Sequence, residues 1–420
     1  MNRTFSYLAL WLGMVGLAGA QDTSDPLFMN PEPDSAADTT QKVPLDAYTG
    51  QSLKFFETLK VDGYFITGYK DNGELVNSPY NALNFGFGTD MRLDRTARAY
   101  SSFYLTYPNP ESTKSSNQYN PTVAPVDLSG KGDLTFSNIK VKELFLDYSV
   151  GTLAIVRLGR QSATWGQGRI FNPGNLVQGI GDDAAIAAKI SSAIGPLTVT
   201  AVAIKNDPFY LGTGPDPKTA LALASIAEAG LVEYSSDWFS TGLSGFFHAS
   251  VGGKADLYFK SSLWGADIFL DCLAEVGTTM QRSYTGVAGL YRDFGDGSSK
   301  WLKLQAEWLV SGWGNDGSFT GVSDKNLGFS DQTFGVAVTT DLFSQISTKP
   351  SMLWLHTLSD SSGQVIFGLV NSSLPHIDLT LGVARVYGSP DSRYVTINPD
   401  SQERLWSLTL KASFNFDIKS

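Results

Sequence analysis

The chain of 420 residues is poor in several residue types, and each shortage excludes a class of protein. A single cysteine, Cys272, excludes a disulfide framework and a thiolate zinc site. The three histidines, His248, His356 and His376, lie too far apart in sequence to predict a metal cluster. Basic residues are also few, since 31 Lys and Arg face 41 Asp and Glu, a formal charge of −10. Because contacts to phosphate need clustered Lys and Arg, nucleic acid is not expected as a partner.

Charged residues make up only 17% of the chain, below the quarter that is usual for soluble domains. Glycine is abundant, with 42 residues, and aromatic residues reach 12%. The mean hydropathy of −0.08 is too low for a helical membrane protein. After the first twenty residues, no stretch contains the roughly 18 continuous apolar residues of a membrane-spanning helix. This composition indicates a large β protein.

The N-terminus has the pattern of an export signal. Arg3 precedes an apolar stretch from Phe5 to Leu17, and Ala18-Gly19-Ala20 is a signal-peptidase motif. We therefore predict a signal peptide over 1–20 that is cleaved after Ala20. Residues 21–51 are acidic and contain proline without an apolar period, which predicts a flexible periplasmic segment. A plug inside a barrel lumen is the alternative for 21–51, and 52–420 would form the main domain.

Apolar and polar residues alternate along most of 52–420. The last segment shows the pattern most clearly, since Trp406, Leu408, Leu410, Ala412, Phe414 and Phe416 alternate with Ser407, Thr409, Lys411, Ser413 and Asn415. Alternation over so many residues predicts a strand with one apolar and one polar face.

About eighteen such segments occur, and a barrel of sixteen strands is the alternative. Most contain 9–13 residues, longer than ordinary globular strands and close to the roughly 9–11 residues of a tilted membrane strand. The segments 182–193 and 226–235 are rich in alanine and could also be helical. The predicted strands are 59–69, 82–94, 96–107, 138–149, 152–161, 182–193, 196–205, 226–235, 238–249, 254–263, 266–277, 282–293, 299–310, 331–342, 350–358, 363–371, 375–387 and 402–416.

The lengths of the connections alternate as well. Every second connection is short, and all the long ones fall at the opposite end: 70–81, 108–137, 162–181, 206–225, 311–330 and 388–401. This sorting and an even strand count are typical of an outer-membrane barrel with periplasmic termini. The predicted fold is all-β, a transmembrane antiparallel up-and-down β-barrel of about 18 strands. A secreted soluble sandwich or propeller is the alternative.

The stretch ELFLDYSVGTLAIVRLGRQSATWGQGRIFNP, which begins at Glu143, resembles a hairpin of porin-like families of Gram-negative-type outer-membrane barrels. The shared elements are LGRQ, WGxGR and a following Asn-Pro, and the composition also resembles that of spirochaete barrels. The resemblance implies an outer-membrane location, contact with membrane lipid and recognition by the barrel-insertion machinery. Such barrels usually end on Phe, whereas here Phe416 is followed by Asp417-Ile418-Lys419-Ser420.

The chain contains no motif that predicts catalysis, a metal site or a cofactor. Gly242-Leu243-Ser244-Gly245 has its second glycine one place too early for a nucleophile elbow. His248 lies near Ser250, but proximity in sequence alone does not predict a hydrolase. Cys272 shares its strand face with Leu270 and is expected to face lipid. We therefore expect no enzyme activity and no cofactor.

Strand parity assigns charged residues to the lumen. Arg92, Arg98 and Arg157 are expected on one wall, and Asp267, Asp271 and Glu275 on a roughly opposite wall. Opposed rows of base and acid would orient polar solutes, and the acidic balance favours mild cation selectivity. Alternatively, Asp90 and Asp94 neutralise Arg92 and Arg98 locally and leave ordinary pore lining.

The connection 162–181 has the composition of an ordered loop. Glycine allows sharp turns, whereas Trp and Phe supply a local apolar core. One interpretation is an external loop; the other is a constriction folded into the barrel, with Arg157 and Arg169 as its polar lining. The residues expected in the constriction are Trp165, Gly166, Gly168, Arg169, Phe171 and Pro173.

These features predict a passive porin for small polar solutes or ions, because a barrel of this size can enclose an aqueous channel. The alternative function is a non-conducting surface protein, such as an adhesin or a ligand-binding barrel that uses 108–137. The sequence is compatible with a homotrimer but does not determine the oligomeric state.

Overall fold

The computed structural model describes residues 52–69, 75–93, 96–107, 139–161, 165–177, 185–205, 226–248, 252–277, 282–296, 299–313, 331–341, 343–389, 392, 394 and 406–419. The predicted signal peptide, the segment 21–51 and the whole connection 108–137 lie outside these residues. Within the described part of the chain, no helix has the length and apolar character needed to cross a membrane.

The described residues form eighteen strands, and nearly all of them end within a few residues of the predicted bounds. The strands are β1 (Ser52–Tyr69), β2 (Leu75–Arg92), β3 (Ala97–Tyr107), β4 (Ile139–Val150), β5 (Ala154–Gln161), β6 (Ala185–Ile194), β7 (Leu197–Lys205), β8 (Ile226–Ser235), β9 (Phe239–His248), β10 (Gly252–Leu263), β11 (Ala266–Gly277), β12 (Arg282–Asp296), β13 (Ser299–Trp313), β14 (Asp331–Thr340), β15 (Thr348–Thr357), β16 (Ser362–Leu374), β17 (Ile377–Tyr387) and β18 (Trp406–Lys419).

The sheet closes into a barrel. Each strand pairs in antiparallel fashion with the next in sequence, and β1 also pairs with β18 from Phe56↔Lys419 to Tyr69↔Trp406. The predicted eighteen-stranded up-and-down barrel is therefore confirmed. The alanine-rich segments β6 and β8 are strands rather than helices, because every residue of β7 pairs with β8 and most also pair with β6.

The two faces of each strand differ as the alternation predicts. The outer face carries exposed large apolar residues, including Leu158, Ile190, Leu243 and Leu270. The inner face carries buried polar and small residues, so that Ala187 and Lys189 alternate with Ile186 and Ile190 on β6. Cys272 is exposed on the outer face, as its parity predicted.

The connections are sorted between the two ends of the barrel. At one end they span two to seven residues, whereas the other end holds 108–138, 162–184, 206–225, 314–330 and 388–405. The predicted long connection 70–81 is wrong, because β2 begins at Leu75. Its residues pair with β1 from Leu75 onward, and Pro79 lies opposite Phe65 in this ladder. The polar and proline-containing stretch near Pro79 lacks the alternation that marked the other strands, so the sequence pattern missed this part of the ladder.

Candidate functional site

The segment 165–177, which follows β5, folds back on itself by side-chain hydrogen bonds. Asn172 Nδ2 donates to the Trp165 carbonyl at 2.9 Å, and Asn175 Oδ1 accepts from the Trp165 N–H at 3.0 Å. Gly166 has a φ of +90°, and a Cβ there would lie 2.0 Å from Asn172 Oδ1. A Cβ on Gly168 would lie 1.6 Å from the Phe171 carbonyl oxygen, so this fold of the loop requires both glycines. We call 165–177 the inner loop.

Glu307 on β13 anchors the inner loop. Its carboxylate accepts hydrogen bonds from three consecutive backbone N–H groups, those of Arg169 (2.8 Å), Ile170 (3.0 Å) and Phe171 (2.7 Å). Gln305 Nε2 donates a fourth bond at 2.8 Å, and Glu307 is only 2% exposed. Charge-assisted bonds of this kind are about twice as strong as neutral ones. Because β13 is eight positions from β5 in the ring of eighteen strands, the inner loop reaches across the barrel interior.

A second contact ties the loop to β11. The Gln167 N–H donates to Asp271 Oδ2 at 3.2 Å. Gly174 packs against two carboxylates, since a Cβ at this position would lie 2.7 Å from both Asp271 oxygens and 2.8 Å from Asp256 Oδ2. Pro173 and Gly174 form a turn at this point. A side chain at 174 would therefore lift the loop off the wall.

Two apolar clusters hold the inner loop against the wall, one at its two ends and one at its middle. The small lumen-facing alanines of β6 and β8 leave space for the larger loop residues. The first cluster contains Trp165, Leu176, Val177, Ala187, Val202, Ile204, Ala227, Ala229, Phe246 and Leu273. The second contains Ile170, Phe171, Phe269, Val287, Leu353, Leu355, Ile366, Ala384 and Tyr394. The alanines that made β6 and β8 ambiguous in sequence thus serve to dock this loop.

The Arg169 side chain turns to the wall beside this anchor. Its guanidinium carbon lies 3.7 Å from the centre of the Tyr291 ring on β12. This stacked cation–π contact leaves the side chain only partly buried. All six residues expected in the constriction therefore belong to a segment that lies inside the barrel, with Trp165 and Phe171 packed and Arg169 on its more open side.

The basic residues of β3 and β5 form a paired network on the inner wall. Arg98 donates two bonds to Asp90, at 2.8 and 3.1 Å, and Arg157 donates two to Asp147, at 2.6 and 3.1 Å. Arg98 also approaches Asp147 at 3.6 Å. The two guanidinium groups lie against the Phe145 ring at 5.9 and 4.0 Å. Asp90 thus neutralises Arg98 locally, as the alternative expected, whereas Arg157 is paired with Asp147, a partner that the sequence did not suggest.

Two further charged residues were expected on this wall, and the structure describes one of them. Arg92 on β2 lies opposite Arg98 in the ladder and is partly buried, whereas Asp94 lies outside the described residues.

The acidic residues of β11 face the interior, but their surroundings differ. Glu275 forms an ion pair with Lys254 at 2.6 Å and accepts a bond from Ser283 at 2.8 Å. Asp267 lies 4.0 Å from Lys260 Nζ and is partly exposed.

Asp271 departs from the expected open pore lining. It is 0% exposed, because the inner loop covers it. Parity gave the correct side of the strand, but the position of the loop above it could not be read from parity.

Several contributors to the site were not predicted. Glu307 and Asp256 gave only the signal of an acid on a polar strand face, which is common to all pore-lining acids. Ser392 and Tyr394, in the connection after β17, are buried, and Tyr394 belongs to the second apolar cluster with Ile170 and Phe171. The Tyr394 N–H donates to Ser362 Oγ at 3.4 Å. Part of this last connection therefore also folds inward.

Of the sequence candidates His248 and Ser250, the described residues include only His248. His248 is buried at the end of β9, and Ser250 lies outside the described residues. No group of three or more His, Cys, Asp or Glu side chains within the described part of the chain is arranged to hold a metal ion.

The comparisons with known proteins identify the fold. No protein-family model and no curated protein matches the sequence. A BenF-like porin from Pseudomonas fluorescens Pf-5 is similar in structure, with a TM-score of 0.52 at 9% identity over 87% of this chain and 99% of the porin. Pseudomonas aeruginosa OccK9 (OpdG) gives a TM-score of 0.51 at 10% identity, over 87% and 99% of the two chains. Pseudomonas aeruginosa OpdQ gives 0.51 at 8%, over 87% and 98%. The chain thus has the barrel fold of these structures.

Replacing Glu307 by Gln tests the anchor. The amide has one oxygen instead of two and no charge, so at least one loop N–H loses its acceptor. Hydrogen bonds to charged groups contribute about 1.5–3 kcal/mol each. We expect faster hydrogen–deuterium exchange of the amides of Arg169, Ile170 and Phe171 in Glu307→Gln. Glu275→Gln, a change on the same inner face, serves as the control and should leave their exchange unchanged. Equal protection in wild type and Glu307→Gln would contradict the anchor.

Proposed function

We propose that the protein is an outer-membrane porin, a passive diffusion channel for small polar solutes or ions. The observation that carries this proposal is the inner loop, which crosses the interior of a closed eighteen-stranded barrel and is bound to Glu307 on a distant strand. Barrels of 16–18 strands are wide enough for an aqueous channel. A polar inner face and an apolar outer face are what such a channel requires in a bilayer.

The inner loop is the proposed constriction. Trp165, Ile170 and Phe171 pack on the wall, so the loop occupies part of the lumen as a fixed body. Arg169 on Tyr291 and the paired Arg157 on the other wall supply polar groups beside the remaining passage. Passage needs no cofactor, since width and lining charge determine which solutes pass.

The proposed lining is close to charge-balanced. Arg98 and Arg157 are paired with Asp90 and Asp147, and Glu275 is paired with Lys254. Opposed walls with paired charges would orient polar solutes while giving only weak ion selectivity. The mild cation preference expected from the acidic balance depends on the carboxylates that remain open to the lumen, since Asp271 is covered.

Deleting the eight residues from Gly166 to Pro173 tests the constriction. The deletion removes the anchored part of the loop, so single-channel conductance in planar bilayers should rise and larger solutes should pass. A deletion of 216–223 from another connection at the same end is the matched control and should have a smaller effect. Unchanged conductance in a folded Gly166–Pro173 deletion would contradict the constriction.

Replacing Asp267 and Glu275 together by Asn and Gln tests the lining charge. The change leaves Lys260 and Lys254 without their partners, so the reversal potential across a salt gradient should move toward anion selectivity. The shift should be largest at low salt, where the Debye length is longest. Asp237→Asn, in an exposed turn between β8 and β9, is the control. If Asp237→Asn shifted the reversal potential by the same amount, the result would contradict the placement of Asp267 and Glu275 in the pore lining.

The sorted connections predict the orientation, with 108–137 outside the cell and both termini in the periplasm. An epitope inserted after Ser115 should be stained on intact cells, whereas one inserted after Ser298 should be stained only after permeabilisation. Staining of intact cells at the second site only would reverse the orientation.

The alternative function is a non-conducting surface protein that binds a ligand through 108–137. A folded protein that gives no channel in a planar bilayer would favour it.

A further inference from the structure

A buried acidic pair lies between the inner loop and the wall strands β10 and β11. Asp256 on β10 and Asp271 on β11 are diagonal neighbours on the lumen face, because Asp256 pairs with Leu273 and Tyr258 pairs with Asp271. Gly174 of the loop covers both carboxylates, with their oxygens within 2.8 Å of the place where its Cβ would be. Exposure is 1% for Asp256 and 0% for Asp271. The acidic pair is therefore shielded from bulk water.

The two carboxylates lack a compensating charge among the described residues. No ordinary hydrogen bond reaches either oxygen of Asp256 or Oδ1 of Asp271, and the Gln167 N–H is the donor to Asp271 Oδ2. Lys254, two residues before Asp256, is engaged by Glu275 at 2.6 Å. Burial without a partner is strongly unfavourable for a carboxylate, and two adjacent ones repel each other.

The other charged and titratable neighbours do not neutralise the pair. Tyr258 donates its hydroxyl proton to Glu233, so this pair adds a further acidic group nearby. Cys272 points to the outer face. On the loop, Arg169 lies against Tyr291 of β12.

A neutral oxygen also lies beside the acidic pair. Ser244 lies directly opposite Asp256 in the β9–β10 ladder and is 3% exposed. Its hydroxyl oxygen makes no hydrogen bond of ordinary geometry. A buried hydroxyl beside two buried carboxylates forms a set of hard oxygen ligands, which Ca²⁺ and similar cations prefer.

We propose that Asp256 and Asp271 bind a hard divalent cation of the Ca²⁺ type between the barrel wall and the inner loop, with Ser244 as a third ligand. Two carboxylates match the double charge of the ion. Because only two acidic side chains contribute, the remaining ligands would be loop carbonyl groups and water. The ion ties Gly174 and its neighbours to β10 and β11, as Glu307 ties Ile170 to β13. The proposal is independent of conductance.

Terbium binding to the purified, detergent-solubilised protein tests the site. Tb³⁺ replaces Ca²⁺ at oxygen sites, and Tyr258 lies opposite Asp271 in the ladder, so excitation of tyrosine should sensitise Tb³⁺ luminescence. Added Ca²⁺ should displace the signal. Since ligand charge sets the affinity of such sites, Asp256→Asn and Asp271→Asn should each weaken binding by about tenfold or more. Ser244→Ala keeps both charges and should weaken it less.

Asp267→Asn is the matched control, because Asp267 lies on the same face of β11 but is partly exposed and lies near Lys260 rather than in the acidic pair. It should leave Tb³⁺ affinity unchanged. Absence of luminescence in the folded wild type, or an equal loss in Asp267→Asn, would overturn the proposal. A folded barrel that binds no Tb³⁺ but becomes more heat-stable with acid in EDTA would overturn it in favour of a proton shared by the two carboxylates. If Asp256→Asn fails to fold, Ser244→Ala and Asp271→Asn decide.

Discussion

The structure depends on the closure of its hydrogen-bonded ladder. A sheet of eighteen strands with free edges would leave a row of unpaired N–H and C=O groups on β1 and β18, and the pairing from Phe56↔Lys419 to Tyr69↔Trp406 removes both edges. In a hydrocarbon phase, unpaired backbone groups have no water to satisfy them, so closure is also the condition for residence in a membrane. The alternation of outer apolar and inner polar residues follows from closure, because each strand then separates two different environments. The inner wall must therefore consist of side chains that can contact either water or a segment packed against the wall.

The inner loop shows how an inner wall serves both roles. Glu307 lies on a polar face that could line water, yet its carboxylate binds three loop N–H groups. Backbone N–H groups of an irregular segment need acceptors when they leave water, and a carboxylate supplies several at one point. Trp165 then gains burial against small wall residues such as Ala229, and Phe171 gains burial in the second cluster. Anchoring and burial support each other, so the loop holds one position although it contains neither helix nor strand.

The sequence predicted the barrel well because its signal is repetitive. Each strand carries the same period of two. An error in predicting one strand therefore changes little, because the strands predicted on either side of it still define the barrel. Failures occur where the pattern is absent, as at Pro79 in β2, where polar residues extend the ladder without alternation. The candidate site was predictable only in composition: glycine and aromatic residues marked 162–181 as ordered, and parity gave the facing of Asp271. The contact partners depend on strands distant in sequence, as Arg169 and Glu307 are 138 residues apart, and no local pattern encodes that pairing. Glu307 and Tyr394 were missed for this reason, whereas Asp147 was missed although it is only ten residues from Arg157, in the same hairpin.

Charged side chains of the inner wall fall into two groups, those that hold the inner loop and those that line the lumen. Of the acidic residues on β10, β11 and β13, Asp256, Asp271 and Glu307 are buried beneath the loop, whereas Asp267 and Glu275 lie beside lysines. The loop therefore removes from the lumen the carboxylates that would otherwise have made this wall strongly acidic. On the other wall, Asp90 and Asp147 offset Arg98 and Arg157. Net sequence charge is consequently a poor guide to the field that a solute meets, because the three carboxylates beneath the loop do not face the open passage. The field is set by the charges that the loop leaves uncovered.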